Sequence, residues 1–214
     1  MTGSFVSPAM RDRVRGLATP VAMALGRLGL TPNALTLIGF GGTCVAAYAA
    51  ANRKWAIAGL LVLAFGVFDL FDGALARATG RTSRLGAFLD STFDRAGEAI
   101  VYIGVAAGAL SFGFKAGAIL SAAAMAAAFM VSYTRAKAES LGFTPGTGMA
   151  SVGLAPREIR LVILALGLIV AGGTSGDRAA KLASLSAPLA LIVVLATITV
   201  IQRVLHVRSQ AKEG

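Results

Sequence analysis

The chain has 214 residues, 56% hydrophobic and 14% charged, with mean hydropathy +0.75 and a net charge of +10. That composition puts it with integral membrane proteins rather than soluble domains. The positive charge comes without a basic stripe interleaved with aromatics, which argues against nucleic acid, and the lone cysteine, Cys44, excludes a disulfide or zinc framework within one chain.

Three regions are expected: an N-terminal segment over 1–30, a helical membrane domain over 31–207 and a short tail over 208–214. The first mixes Arg11, Arg13, Arg15 and Arg27 with Val14, Leu17, Val21 and Leu25. It is too charged to span and reads as an interfacial amphipathic helix, or a bent helix pair, on anionic lipid. Thr19-Pro20 looks like an N-cap followed by a first-turn proline. No signal peptide is expected, because the first long apolar run starts beyond residue 30.

Thr31-Pro32-Asn33 repeats the cap-and-proline start and opens a first span over 33–51. A turn at Asn52-Arg53-Lys54 follows, with Trp55 suited to a membrane interface. Further spans are expected over 55–78, 84–110, 116–139, 157–171 and 183–204, with a turn around Gly113. The fold expected is therefore all-α: six transmembrane helices plus the interfacial helix. The segment over 141–156 holds Gly142, Gly146, Gly148 and Gly153, and reads equally as a mobile cover or an inert connector. His206 is expected to be solvated or interfacial, and Cys44 to be a packing residue. With the amphipathic helix in the cytoplasm, six spans return the C-terminus there. Of the Lys and Arg residues in loops, only Arg53, Lys54, Lys115, Arg178 and Lys181 then fall outside, which is positive-inside bias.

The second and third spans meet in FDLFDGALARATGRTSRLGAFLDSTFD, residues 68–94. Asp69 and Asp72 are spaced i,i+3 and Asp90 and Asp94 i,i+4, so each pair shares a helix face. If the helices stop near Ala78 and restart near Arg84, Asp72 and Asp90 each lie roughly 9 Å from the turn, and Asp69 and Asp94 roughly 14 to 15 Å. The acids thus match in depth across the turn. Carboxylates in low dielectric need a counter-charge. Oxygen-only ligands suit Mg²⁺ or Mn²⁺, and two divalent ions would neutralise four acids. A structural ion-pair cluster with Arg77, Arg84 or Arg95 is the plainer alternative. Gly73 and Ala76 keep one face free of bulk, and Arg77 offers a phosphate contact.

The string D-x2-D-G-x2-A-R-x8-G-x3-D-x3-D is complete from Asp69 to Asp94, and with it the chain resembles the CDP-alcohol phosphotransferase family. The resemblance implies a cell-membrane enzyme, working on the cytoplasmic side, in which an alcohol attacks the β-phosphorus of CDP-diacylglycerol and CMP leaves. It implies Asp69, Asp72, Asp90 and Asp94 as metal ligands, with Asp94 also the general base. Gly73, Ala76 and Arg77 match the part that meets the CDP group. Ser83, Asn33 and Thr36 match positions on the nucleotide side, although each is also an ordinary helix-capping residue. A homodimer is implied as well, for which the Ala/Gly-rich third and fourth spans offer close-packing faces.

Outside that signature, Y-T-R-A-K-A-E over 133–139, A-P-R-E-I-R over 155–160 and Gln202-Arg203 look like bacterial phosphatidylinositol-phosphate synthases. That likeness implies an acceptor-phosphate pocket from Arg135, Arg157 and Arg203, with Lys137 and Arg160 beside them, and inositol phosphate as the acceptor. Glu139, four residues from Arg135, could take up some of that charge. Two other readings stand: glycerol 3-phosphate as the acceptor, as in a phosphatidylglycerophosphate synthase, and, from another class, a divalent-cation transporter using the buried acids.

Overall fold

The computed structural model describes residues 8–143, 152–174 and 178–213. They form eight helices in chain order: α1 (Pro8–Arg27), α2 (Pro32–Ala51), α3 (Trp55–Gly66), α4 (Phe68–Ala78), α5 (Arg84–Ser111), α6 (Lys115–Ser140), α7 (Arg157–Gly173) and α8 (Arg178–Glu213). The expected boundaries hold where cap chemistry marks them. Thr31 caps α2 by accepting from the Ala34 amide, with Pro32 in the first turn, and Ser83 caps α5 by accepting from the Gly86 amide. The turns after α2 and α5 use left-handed residues, Arg53 at φ 61° and Gly113 at φ 74°.

Six helices close a ring. α2 packs on α5, α5 on α6, α6 on α8, α8 on α7, α7 on α3 and α3 back on α2. The core is the inside of that ring, where Ala46, Ala50, Trp55, Val62, Val101, Ala128, Leu164, Leu189 and Ile192 form one buried cluster. Leu37, Val45, Ile103, Ile119, Val170, Val194 and Ile201 instead point outward and are exposed. An apolar exterior around a packed interior is what lipid solvent selects.

Close approach within the ring depends on small residues. A Cβ at Gly104 would lie 2.3 Å from the Ala47 carbonyl oxygen, and one at Gly108 would lie 2.2 Å from that of Ala50. The glycines expected to serve a dimer are therefore used by α2 of the same chain. Gly108 also makes room for Trp55, which opens the second span and is buried against protein, 3% exposed.

Among the described residues, four stretches are long and apolar enough to cross a membrane: Pro32–Ala51, Trp55–Ala78, Lys115–Ser140 and Arg178–Lys212. The other two expected spans are helices that miss those limits. α5 carries Asp90, Asp94, Arg95 and Glu98 along its length, and α7 has 17 residues. The second span is interrupted at Val67, whose right-handed dihedrals (φ −72°, ψ −23°) let α4 continue from α3 after one residue. α8 runs on as helix to Glu213, past the expected stop at 204, so the residues expected as a tail are helical as far as Glu213.

The N-terminal helix is continuous, with Pro20 inside it, so Thr19-Pro20 begins nothing. Ala18, Ala22 and Gly26, spaced four apart, turn to α4: the two alanines are buried with Ala74 and Leu75, and a Cβ on Gly26 would meet Leu75 at 2.6 Å. The helix thus leans on protein along this face. Cys44 is a free, half-buried thiol. His206 is half-buried too, not solvated, with its Nε2 buried and without a hydrogen-bond partner. Gly146 and Gly148 of the glycine-rich segment lie outside the described residues.

Candidate active site

The two acid pairs come together as the spacing predicts. α4 ends at Ala78 and α5 starts at Arg84, which brings Asp69 and Asp94 to the same depth. Arg157, from the first turn of α7, bridges them: its Nη1 donates to Asp69 Oδ2 and lies 3.0 Å from Asp94 Oδ1. Side-chain exposures of 13%, 28% and 15% for Arg157, Asp69 and Asp94 put the bridge in a largely desolvated place. Asp72 is 5% exposed and accepts from the Thr36 hydroxyl at 2.7 Å. The four carboxylates form one electrostatic cluster, with Asp72 sensing Asp90 and Asp69, and Asp94 sensing Asp69 and Asp90.

Among the described residues no three acidic, histidine or cysteine side chains converge as a ready-made metal cage. Positive charge beside the acids comes from Arg157 and from Arg95, whose Nη1 donates to Asp94 Oδ2 at 3.1 Å, and the Nε of Arg157 is buried without a partner. The donor set is nonetheless carboxylate oxygen alone, which fits a hard divalent ion. A small cleft opens beside the bridge, lined by Thr36, Gly39 and Thr43 of α2, by Asp69, Phe93 and Asp94, and by Arg157.

The residues expected on the nucleotide side also gather. Arg77 folds back on its own helix, so that a Cβ on Gly73 would lie 3.1 Å from its Nη1. Ala76, between them, is half-buried. Asn33 Oδ1 and Ser83 Oγ both approach Gly86, at 3.4 and 3.0 Å from where a Cβ would stand. Helix α2 thereby delivers Asn33 to the start of α5 and, one turn on, Thr36 to Asp72.

The basic residues divide. Arg135 is half-exposed and pairs with Glu139 at 2.9 Å, as the i,i+4 spacing suggests, and Lys137 is exposed. Arg203 is 4% exposed; its Nε donates to the Val152 carbonyl at 3.0 Å and its Nη1 to that of Val131, within range of the charges of Arg135 and Arg160. Arg160 is 1% exposed and three of its five N–H donors are committed: Nε and Nη2 fork onto the Glu98 carboxylate at 2.8 Å each, and Nη1 donates to the Ala155 carbonyl at 2.7 Å. It is tied into the framework and offers no free fork to a phosphate.

Sequence reasoning missed Glu98 and Thr199. Glu98 is four residues beyond Asp94, so the i,i+4 rule that singled out Asp90 and Asp94 extends to it. Thr199 carries no such signal. Its hydroxyl accepts from the Leu154 and Ala155 amides at 3.1 and 3.0 Å, contacts that only the folded chain makes.

Carboxylates gathered between the helices of a lipid-facing bundle, with a guanidinium among them, define a membrane-embedded enzyme of phosphate chemistry. The chain belongs to the CDP-alcohol phosphatidyltransferase family, which matches over residues 29–207. That membership removes the transporter reading. The chain is 34% identical to the archaetidylinositol phosphate synthase of Pyrococcus horikoshii, over 96% of this chain and 98% of that protein. It is 37% identical to the phosphatidylinositol phosphate synthase of Streptomyces avermitilis, over 92% and 80%. Mycobacterium tuberculosis phosphatidylinositol phosphate synthase with CDP-DAG bound has a TM-score of 0.77 and 31% identity, with 89% of this chain and 92% of that one covered. The same enzyme in complex with manganese and citrate has a TM-score of 0.76 at 30% identity, with 89% and 88% covered.

Proposed function

We propose that the chain transfers the phosphatidyl group of CDP-diacylglycerol to inositol phosphate, giving phosphatidylinositol phosphate and CMP. The observation that carries this reading is a pair of clusters linked through α7: the carboxylates of α4 and α5, which Arg157 bridges, and the guanidinium of Arg203 with that of Arg135 in range. A diphosphate needs the first and an acceptor that itself bears a phosphate needs the second. The names of the Streptomyces and Mycobacterium relatives support the same acceptor.

Asp69, Asp72, Asp90 and Asp94 would hold divalent metal, two ions by charge balance, with Mg²⁺ and Mn²⁺ both suited to the ligands; the Mycobacterium enzyme was crystallised with manganese. Bound metal supplies positive charge to the diphosphate and to the departing phosphate oxygen. The chain's own side chains orient and move the proton. Thr36 fixes the Asp72 carboxylate, while Gly73, Ala76, Arg77, Asn33 and Ser83 receive the CDP group. Asp94 takes the proton of the acceptor hydroxyl as its oxygen bonds to the β-phosphorus. The bond from that phosphorus to the bridging oxygen breaks, and the electron pair leaves with CMP. Arg157 and Arg203 hold the acceptor's phosphate, with Arg135 and Lys137 at its edge.

Six spans are the reading that fits the ring, because α5 and α7 complete a circuit with the four stretches that meet the length and composition limits. Positive-inside bias supports a cytoplasmic site with both termini on that side. The homodimer implied by the family resemblance would use faces other than Gly104 and Gly108, which α2 covers.

The deciding experiment is CMP release by purified protein with Mg²⁺ and CDP-diacylglycerol, with inositol phosphate, glycerol 3-phosphate, serine and free inositol supplied separately. Release with inositol phosphate alone is the expected result. Release with glycerol 3-phosphate would keep the site and overturn the acceptor. Because the Pyrococcus relative is named for an archaetidyl product, CDP-archaeol runs beside CDP-diacylglycerol, and turnover with CDP-archaeol alone would replace the lipid.

A further inference from the structure

Helices α5 and α7 occupy opposite places in the ring and are not neighbours in it. Two ion pairs nevertheless cross between them, Arg157 with Asp94 and Arg160 with Glu98. Asp94 and Glu98 are i,i+4 on α5, and Arg157 and Arg160 are i,i+3 on α7, so the pairs are successive rungs one turn apart. The outer rung faces the cleft. The inner rung is 1% and 3% exposed and lines no part of that cleft.

The inner rung also holds the chain that leads into α7. Arg160 Nη1 grips the Ala155 carbonyl, while Thr199 on α8 accepts from the amides on either side of the Leu154 carbonyl, those of Leu154 and Ala155. Gly153, at φ 122°, lies so close to Thr199 that a Cβ would come within 2.2 Å of its Cγ2. The residues just before Arg157 are thus fastened to α8 on one side and, through Arg160, to Glu98 of α5 on the other.

We propose that Glu98, acting through Arg160, is a positioning residue that sets the height of Arg157 against Asp69 and Asp94. A buried ion pair adds little stability over an apolar replacement of similar volume, but a two-toothed fork admits one orientation, so its effect is on geometry. Without it, packing against α3 and α8 alone would decide where α7 begins, and neither helix carries Asp94. The substrate never meets Glu98; the substrate meets the arginine that Glu98 places.

The proposal rests on the transfer reaction proposed above. The test is the combined Glu98→Leu and Arg160→Met replacement, assayed by CMP release in the wild-type and Arg157→Ala backgrounds. With Arg157 present, kcat/KM for inositol phosphate should fall by about tenfold to a hundredfold, the scale of a misplaced catalytic group. The melting temperature should stay near the wild-type value, since both charges leave together. In the Arg157→Ala background the same replacement should change kcat/KM by less than about threefold, because the residue it acts through is gone. Thr199→Val, at the other fastening, should show a smaller loss with the same disappearance, and it decides the matter alone if the double replacement does not fold. Full activity, or equal losses in both backgrounds, would overturn the proposal. Absence of turnover by the unaltered protein would remove the transfer reading and the proposal with it.

Discussion

The Thr36 hydroxyl donates to Asp72 Oδ2 at 2.7 Å, joining the first turns of α2 to the middle of α4. A second acceptor, the Pro32 carbonyl, lies farther away at 3.2 Å. Thr36→Val keeps the shape and removes that donor. The expected outcome is a rise of about tenfold or more in the Mg²⁺ concentration needed for half-maximal CMP release, the usual size of an effect on a ligand's hydrogen-bond partner. An unchanged metal requirement would separate Thr36 from the metal-binding role assigned to Asp72.

Asp94→Asn should lower kcat by about a hundredfold to ten-thousandfold, the range for a lost general base, while CDP-diacylglycerol still binds. Turnover and equilibrium binding of the nucleotide lipid, measured on the same preparation, check this. Loss of both together would make Asp94 chiefly a structural carboxylate.

Arg157→Ala leaves Asp69 and Asp94 with less counter-charge in a setting where they are 28% and 15% exposed. Without divalent metal the variant should be less stable by about 1–3 kcal/mol, the cost of stranding largely buried charge. Adding Mg²⁺ should raise its melting temperature more than it raises that of the wild type. An equal rise in both proteins would show that Arg157 and the metal do not answer the same charge.

Gly104→Val should prevent α2 and α5 from meeting, because its first carbon would overlap the Ala47 carbonyl. The expected result is loss of a monodisperse peak in detergent. Gly41 lies in α2 with nothing within 4 Å of an added Cβ. Gly41→Ala should fold normally and gain about 0.5–1 kcal/mol from the helix-propensity difference.

Much of this was legible in the sequence because local chemistry marked it. Thr31 with Pro32 and Ser83 before Arg84 announced helix starts, and the intervals among Asp69, Asp72, Asp90 and Asp94 fixed which acids share a face and a depth. What escaped was set by distant partners. Trp55 carries the signature of an interfacial anchor, yet the absence of a side chain at Gly108, on another helix, gives it a buried slot. Arg160 was read with the phosphate-binding arginines because its sequence neighbours are theirs; its actual partner, Glu98, is 62 residues away. The interruption at Val67 has no Pro or Gly at that residue to signal it, although Gly66 precedes it.

The ring also has an order in time. A chain emerging from the ribosome presents its N-terminal helices first, so Asp69, Asp72, Asp90 and Asp94 are all made before Arg157, which follows Asp69 by 88 residues. Until α7 arrives, Asp94 has Arg95 beside it but the guanidinium that bridges Asp69 and Asp94 is still untranslated. The last third of the protein therefore does more than close a circuit of helices. It delivers the cation that bridges the two acid-bearing helices.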